Sequence, residues 1–241
     1  MTTQAESDGR DVGPTAPDER IVSLDVLRGV AIFGILVINI QDFGYPSAAR
    51  LNPTQYGEFS GVELAIWLGS HIFFEQKFIA LFSLMFGAGG VLFMQSKQAA
   101  KRSAMVLHYR RTFGLVLIGL RHACGSGDGY ILTIYALCGF IVVLFWEEPP
   151  RQLLGLGAVF VAIPTVLELT TAFSIGLGTT HDAWTATEAA IQSEIQAFRG
   201  SWLEGFAVRR EAALQAQTVQ FLSSSGWRYS GLMLWGMAAY K

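Results

Sequence analysis

His122 carries the most direct chemistry in this 241-residue chain. A histidine titrates near neutrality and can take a proton from an attacking hydroxyl or amine. Asp128 follows six residues later, and a carboxylate beside an imidazole fixes its tautomer and stabilises the imidazolium. The pair reads as a general base with its orienting acid, or as an interfacial histidine bonded to the 125–129 turn. His71, Glu75 and Lys77 form a second constellation. The first two, at i and i+4, share a helix face, and Lys77 follows where that helix breaks. They could line a polar cavity, as irregular backbone at membrane depth must, or be an ion pair that lets the chain turn. Asp25 and Arg28, one turn apart, can also pair. Alternatively Asp25 starts a helix and Arg28 snorkels to headgroups.

Lys97, Lys101, Arg102, Arg110 and Arg111 lie in a stretch without an acid. Such a run sets topology and meets lipid headgroups. It also offers a dock for phosphates, with Arg28 at the bundle mouth, because arginine donors form a planar fork. Glu168 stands alone in an apolar run and is expected to face the bundle or a polar cavity.

The elements that position these residues are membrane helices. The chain is 51% hydrophobic and 15% charged, against about 25% charged in soluble domains. Runs 78–96 and 129–146 are free of charge, and 152–177 is interrupted only by Glu168. Each reaches the ~18–20 residues that an apolar helix needs to cross a bilayer. The fold expected is all-α, a transmembrane bundle of about six to seven membrane helices. A short half-buried helix at 62–74 and an external amphipathic helix complete it. Helices are expected at 23–43, 78–95, 105–123, 130–146 and 153–175, with a further apolar segment at 227–240 that is short for a span.

Positive charge at 97–111 and acid at 42–63 (Asp42, Glu58, Glu63) place the first of these loops in the cytoplasm and the second outside. An odd number of crossings must separate them, so helix 62–74 does not cross. The N-terminus is then cytoplasmic. Residues 1–20, with five acids and two prolines, form a disordered tail. Residues 21–241 are one helical domain, with 181–226 an external insertion. There Trp184, Ile191, Ile195, Phe198, Trp202 and Phe206 recur at helical spacing, which suits a helix on the membrane surface or a lid on the protein itself. Cys124 and Cys138 fit neither a disulfide framework nor a metal pattern, so no metal and no bound cofactor are expected. No basic stripe suggests nucleic acid. The glycines at 87, 89, 90, 114, 119, 155 and 157 lack a strand–helix context and read as close helix contacts.

Several blocks together carry a resemblance: Ser23-Leu-Asp-Val-Leu-Arg-Gly29, Asn39, Phe43-Gly-Tyr-Pro46 and Leu51-Asn52-Pro53. Further along come Phe73-Phe-Glu-Gln-Lys-Phe-Ile-Ala-Leu-Phe-Ser-Leu-Met-Phe-Gly-Ala-Gly89, Gly119-Leu-Arg-His122, Tyr135-Ala136 and Gly231-Leu-Met-Leu-Trp-Gly-Met237. The chain resembles the YeiB-like family of uncharacterised bacterial inner-membrane proteins. Its first-helix Asp-x-x-Arg-Gly is also similar to that of transmembrane acyltransferases of the heparan-glucosaminide acetyltransferase type. Family members usually continue for several helices past the Gly-Met block, so the resemblance covers their N-terminal part. They also carry Gly-Asp directly before Ile-Leu, where this chain has Gly129-Tyr130.

The resemblance implies transfer of an acyl group from a cytoplasmic acyl-CoA to an envelope acceptor. His122 and Asp128 would be catalytic, and Arg28, Asp25, His71, Glu75, Lys77, Arg110 and Arg111 would bind donor or substrate. A carrier of a small solute or lipid precursor, using Glu75, Lys77 and Glu168, is the second expectation. The third is an inactive front part of a longer membrane protein. Partners expected are the lipid bilayer, an acyl-CoA and the acceptor.

Overall fold

The computed structural model describes residues 21–57, 60–100, 103–125, 130–175 and 185–241. Among them the chain is helical throughout, without a strand. The 1–20 tail, Lys101, Arg102, Asp128 and Trp184 lie outside the described residues.

Helix α1 (Val22–Asp42) begins with Asp25 in its first turn, where a carboxylate suits the positive helix end. It stops before Gly44 and Pro46, and Pro46 then caps the short α2 (Ser47–Leu51). A 3-10 turn at Pro53–Gln55 follows, capped by the Asn52 side chain. Helix α3 (Gly61–Phe73) has thirteen residues, about 20 Å, short of the ~30 Å bilayer core. Its Ser70 hydroxyl accepts from Gln41 at 3.1 Å, which holds α3 beside the C-terminal end of α1.

The expected break after α3 falls at Gln76, with φ +62. This left-handed conformation costs a non-glycine residue about 1–3 kcal/mol. Local bonds hold it: the Phe74 and Glu75 amides both donate to the Ser70 carbonyl, at 2.9 and 3.0 Å. Helix α4 (Lys77–Ala99) then runs back along α1, with the Phe78 ring over Gly34 and the Arg28 guanidinium over Gly89.

Helices α5 (Ala104–Gly125) and α6 (Ile131–Val142) form the next hairpin, closed where Gly119 abuts Thr133. The expected 130–146 helix ends in a 3-10 turn, Val143–Phe145. Helix α7 (Pro150–Ile175) follows.

The amphipathic segment is two helices, α8 (Glu188–Arg199) and α9 (Trp202–Gln215). Glycine is costly inside a helix, and the break falls at Gly200. There Ser201 and Glu204 form a reciprocal capping box that starts α9. Ile191 is buried, and the Trp202 indole donates to the Gly125 carbonyl at 3.2 Å. The pair therefore covers the protein's own end. A π-helical stretch, Ala216–Ser225, leads from α9 into α10 (Gly226–Tyr240).

That last helix was expected as a short apolar segment and is the centre of the core. Met233 and Leu234 are fully buried, packed with Val91, Ile134, Tyr135 and Leu153. Glycine makes the approach possible. A Cβ on Gly87 would strike the Met233 backbone, and one on Gly236 the Leu84 backbone. These are the close helix contacts expected of small residues, although Gly90, Gly114 and Gly155 face open space.

Three stretches are long and apolar enough to cross a membrane: Val22–Asp42, Gly61–Ala99 and Pro150–Ser174. Their most apolar windows are only 17%, 28% and 17% buried, with Phe33 and Phe173 left 66% and 86% exposed. Exposed apolar surface on this scale points to a membrane protein. The higher number of spans expected from sequence does not follow from length and composition. Helix α5 carries Arg110, Arg111 and Arg121, and α6 and α10 have twelve and fifteen residues.

Candidate functional site

The antiparallel packing of α1, α4 and α5 brings Arg28, Lys97 and Arg111 to one end of the bundle. Arg28 Nη1 lies 3.3 Å from Asp25 Oδ1. Its guanidinium covers Gly89 and is close enough to Arg111 for the two charges to interact. The Arg111 guanidinium stands 5.3 Å from the centre of the Phe93 ring, and Lys97 Nζ stands 5.7 Å from it. One aromatic ring thus gathers two cations, and Arg28 joins them from the neighbouring helix. Arg110 is exposed on α5. His108, also beside Phe93, is buried, with Nε2 3.1 Å from the Gly139 carbonyl. It ties α5 to α6.

His71, Glu75 and Lys77 are brought together at the α3–α4 break. His71 Nδ1 lies 2.6 Å from Glu75 Oε2, its ring stacks on Trp67 at 4.3 Å, and Lys77 Nζ donates to the His71 carbonyl at 3.1 Å. A helix C-terminus leaves such carbonyls without partners, and a lysine there also suits the helix dipole. The trio shapes the turn first.

His122 is exposed in the last turn of α5. Eleven residues separate it from Arg111, about 16 Å along the helix axis, so it does not join the cation cluster. Its expected partner Asp128 lies outside the described residues.

Glu168, expected to face the bundle or a polar cavity, is exposed on α7, and its ion pair and the Tyr135 bonds have no counterpart in the sequence reading. Glu168 has a partner: Arg228 Nη2 lies 3.0 and 3.2 Å from its two oxygens, and Ser224 Oγ donates to it at 2.9 Å. Sixty residues of sequence separate the ion pair, so no spacing rule finds it. The only signal was that each is an ionisable group in an apolar stretch. The Tyr135 hydroxyl is buried, 2.9 Å from the Ile79 carbonyl and 2.8 Å from Ser83 Oγ. Among the described residues no cluster of His, Cys, Asp and Glu could hold a metal ion.

The end opposite the cations holds a cavity of about 360 Å³ between the α1–α2 turn and helices α8 and α9. A smaller one of about 150 Å³ adjoins Arg50, Glu63 and Trp67, and Tyr45 and Tyr56 line both. Glu194 of α8 fixes this wall by accepting from Ser47 N at 3.0 Å and Ser47 Oγ at 2.9 Å.

The architecture is thus that of a helical protein with membrane-crossing lengths of apolar helix and polar groups gathered at both ends. The chain is similar to the protein named "Uncharacterized protein YeiB" of Escherichia coli (strain K12), 33% identical over 92% of this chain and 56% of that protein. It is also similar to "Uncharacterized protein YxaH" of Bacillus subtilis (strain 168), 40% identical over 58% of this chain and 36% of the relative. A third relative, "Uncharacterized 39.9 kDa protein in amylase 3'region" of Bacillus acidopullulyticus, is 31% identical over 56% of this chain and 36% of its own length. These likenesses support a YeiB-like family. The chain spans between about a third and just over half the length of the relatives it matches. No family model and no solved structure matches it.

Proposed function

We propose that this is a multi-pass protein of the bacterial plasma membrane that binds the phosphates of an acyl-CoA at its cation end and passes the acyl group to an envelope acceptor. The observation that carries the reading is the convergence of Arg28, Lys97 and Arg111 from three helices, with Asp25 as the nearby carboxylate. Like charges repel, and a polyphosphate would offset that repulsion. The cation end is cytoplasmic in this reading, by the positive-inside rule. His122 serves as general base near the other end, with Asp128 as its orienting acid. The donor must then reach through the bundle, as an extended pantetheine arm would. Purified full-length protein incubated with labelled acetyl-CoA and envelope extract should yield a labelled product, and His122→Ala should abolish it. Transfer that is absent, or unchanged in the variant, overturns the assignment.

One observation favours a second reading, a carrier. The Gln76 break sits beside the middle of α1, because Phe78 lies over Gly34, and broken helices line substrate paths in transporters. Solute flux into liposomes that is lost on Glu75→Gln, without any acyl transfer, would establish the carrier instead.

A further inference from the structure

We propose that the cavity at Tyr45 and Tyr56 binds a zwitterionic headgroup of the phosphoethanolamine type, a primary ammonium joined to a phosphate. This goes beyond the donor reading and lies at the opposite end of the bundle. The cavity, at about 360 Å³, falls at the small end of the roughly 300–1,000 Å³ usual for ligand sites. That leaves room for a headgroup and its glycerol.

Its walls carry both signs of charge. Asp42 and Glu194 contribute carboxylates, and Arg199 and Arg209 contribute guanidinium groups. An anion alone would face two carboxylates, and a cation alone would face two arginines. A ligand bearing both charges satisfies both walls. Arg209 is the most telling group. Its Nε donates to the Cys124 carbonyl at 3.5 Å and its guanidinium stands 5.7 Å from the centre of the Phe198 ring, while Nη2 is buried without a hydrogen-bond partner. A buried donor left unmet is costly, and a phosphate oxygen would meet it with a charge-assisted bond.

The ammonium side is equally defined. Tyr45 and Tyr56 stand edge to face at 6.2 Å, beside Asp42, and aromatic rings next to a carboxylate attract an ammonium. The site is built rather than incidental. Glu194 is tied to Ser47, Asp42 to Arg50 at 3.4 Å, and Asn52 caps the turn that leads to Tyr56.

The test uses the purified protein in nanodiscs of phosphatidylglycerol, with no acyl donor present, so its outcome is independent of acyl transfer. O-phosphoethanolamine, ethanolamine and glycerol 3-phosphate are compared by saturation-transfer NMR. The first should give a clear signal and each half-molecule a much weaker one. Arg209→Gln should remove most of it. Arg199→Gln, at an exposed position that cannot disturb the core, should weaken the signal up to about five-fold, the equivalent of one exposed ion pair. Adding phosphatidylethanolamine to the discs separates the sources: loss of the free probe's signal identifies the lipid headgroup, and its persistence identifies a soluble ligand. Equal signals from ethanolamine or glycerol 3-phosphate, or an unchanged signal in a folded Arg199→Gln protein, overturn the proposal.

Discussion

The two ends of the bundle both carry charge and use it in opposite ways. At one end Arg28, Lys97 and Arg111 crowd around Phe93 and Gly89, and Asp25 answers only one of them. At the other, acids and bases share one cavity, and its carboxylates are held in place by Ser47 and Arg50. The first arrangement keeps an unbalanced field that draws anions. The second is locally balanced and selects by shape and the placement of both signs. On the two proposals, one chain would offer two recognition chemistries, and neither would require the other to be occupied.

Both ends hang on one seam, where Gly87 meets the Met233 backbone and Gly236 meets the Leu84 backbone. Breaking it should have the largest effect of any single change. Gly236→Leu pushes side-chain atoms into a main chain that cannot yield, so the cost should reach or pass the ~1–3 kcal/mol usual for overpacking. Thermal unfolding followed by fluorescence should show a large fall in melting temperature and loss of binding at both ends. An unchanged melt would show that the ends are held independently.

The next effect is confined to the cation end. Arg28→Ala and Arg111→Ala should each weaken coenzyme A binding by roughly 10- to 100-fold, the value of a charged hydrogen bond. The lysine variants should lose less affinity, since they keep charge without the fork. Phosphoethanolamine binding should stay at the wild-type level in all four. Equal losses at both ends would merge the two sites into one.

Helices were legible in the sequence wherever apolar periodicity was long, so α1, α4 and α7 lie within a few residues of expectation. The α3–α4 break was legible from Glu75-Gln76-Lys77, because charge interrupts an apolar run. The apolar run behind α10 is short for a span, and polar Gln217, Thr218, Gln220 and Ser223 hide its continuity with α9. A π-helical stretch accommodates those residues, and no periodicity of 3.6 registers it. Periodicity predicts one helix for the amphipathic segment because its apolar residues keep step across Gly200, and only the Ser201–Glu204 capping box marks the second start. Of the candidate site, His71, Glu75 and Lys77 were legible because they are local. The cation cluster was half legible: charge counts placed its members on one side but could not select Arg111 and Lys97 around Phe93. The cavity was not legible, since residues from four separate segments meet there.

A smaller effect sharpens the contrast at the cation end. The Asp25–Arg28 pair is partly exposed, and such pairs contribute about 0.2–1 kcal/mol. Asp25→Asn removes the carboxylate that competes with a phosphate for Arg28. Coenzyme A should then bind up to about five-fold more tightly at low salt, with the difference fading as salt screens exposed charges. Weaker binding in Asp25→Asn would show that Asp25 orients Arg28 for the ligand and does not compete with it.

The smallest effect belongs to the cavity end and its dependence on pH. Hydrogen bonds from Ser201, backbone first and then side chain, hold the Glu204 carboxyl below the ordinary glutamate value of 4.5. A group whose pKa is depressed on folding stabilises the fold above its unfolded value and loses that contribution as pH falls through its folded value. The capping box should therefore be intact at neutral pH and open below the ordinary glutamate range, loosening the start of α9 and its Trp202–Gly125 bond. Trp202 fluorescence during acid titration reads this directly, with the other five tryptophans corrected for by a Trp202→Phe control. Glutamine can also close a capping box and does not titrate, so Glu204→Gln should keep the neutral-pH signal and abolish the acid step. An acid step of the same size in Glu204→Gln would place the titrating group elsewhere and leave the cavity wall's pH response without its assigned origin.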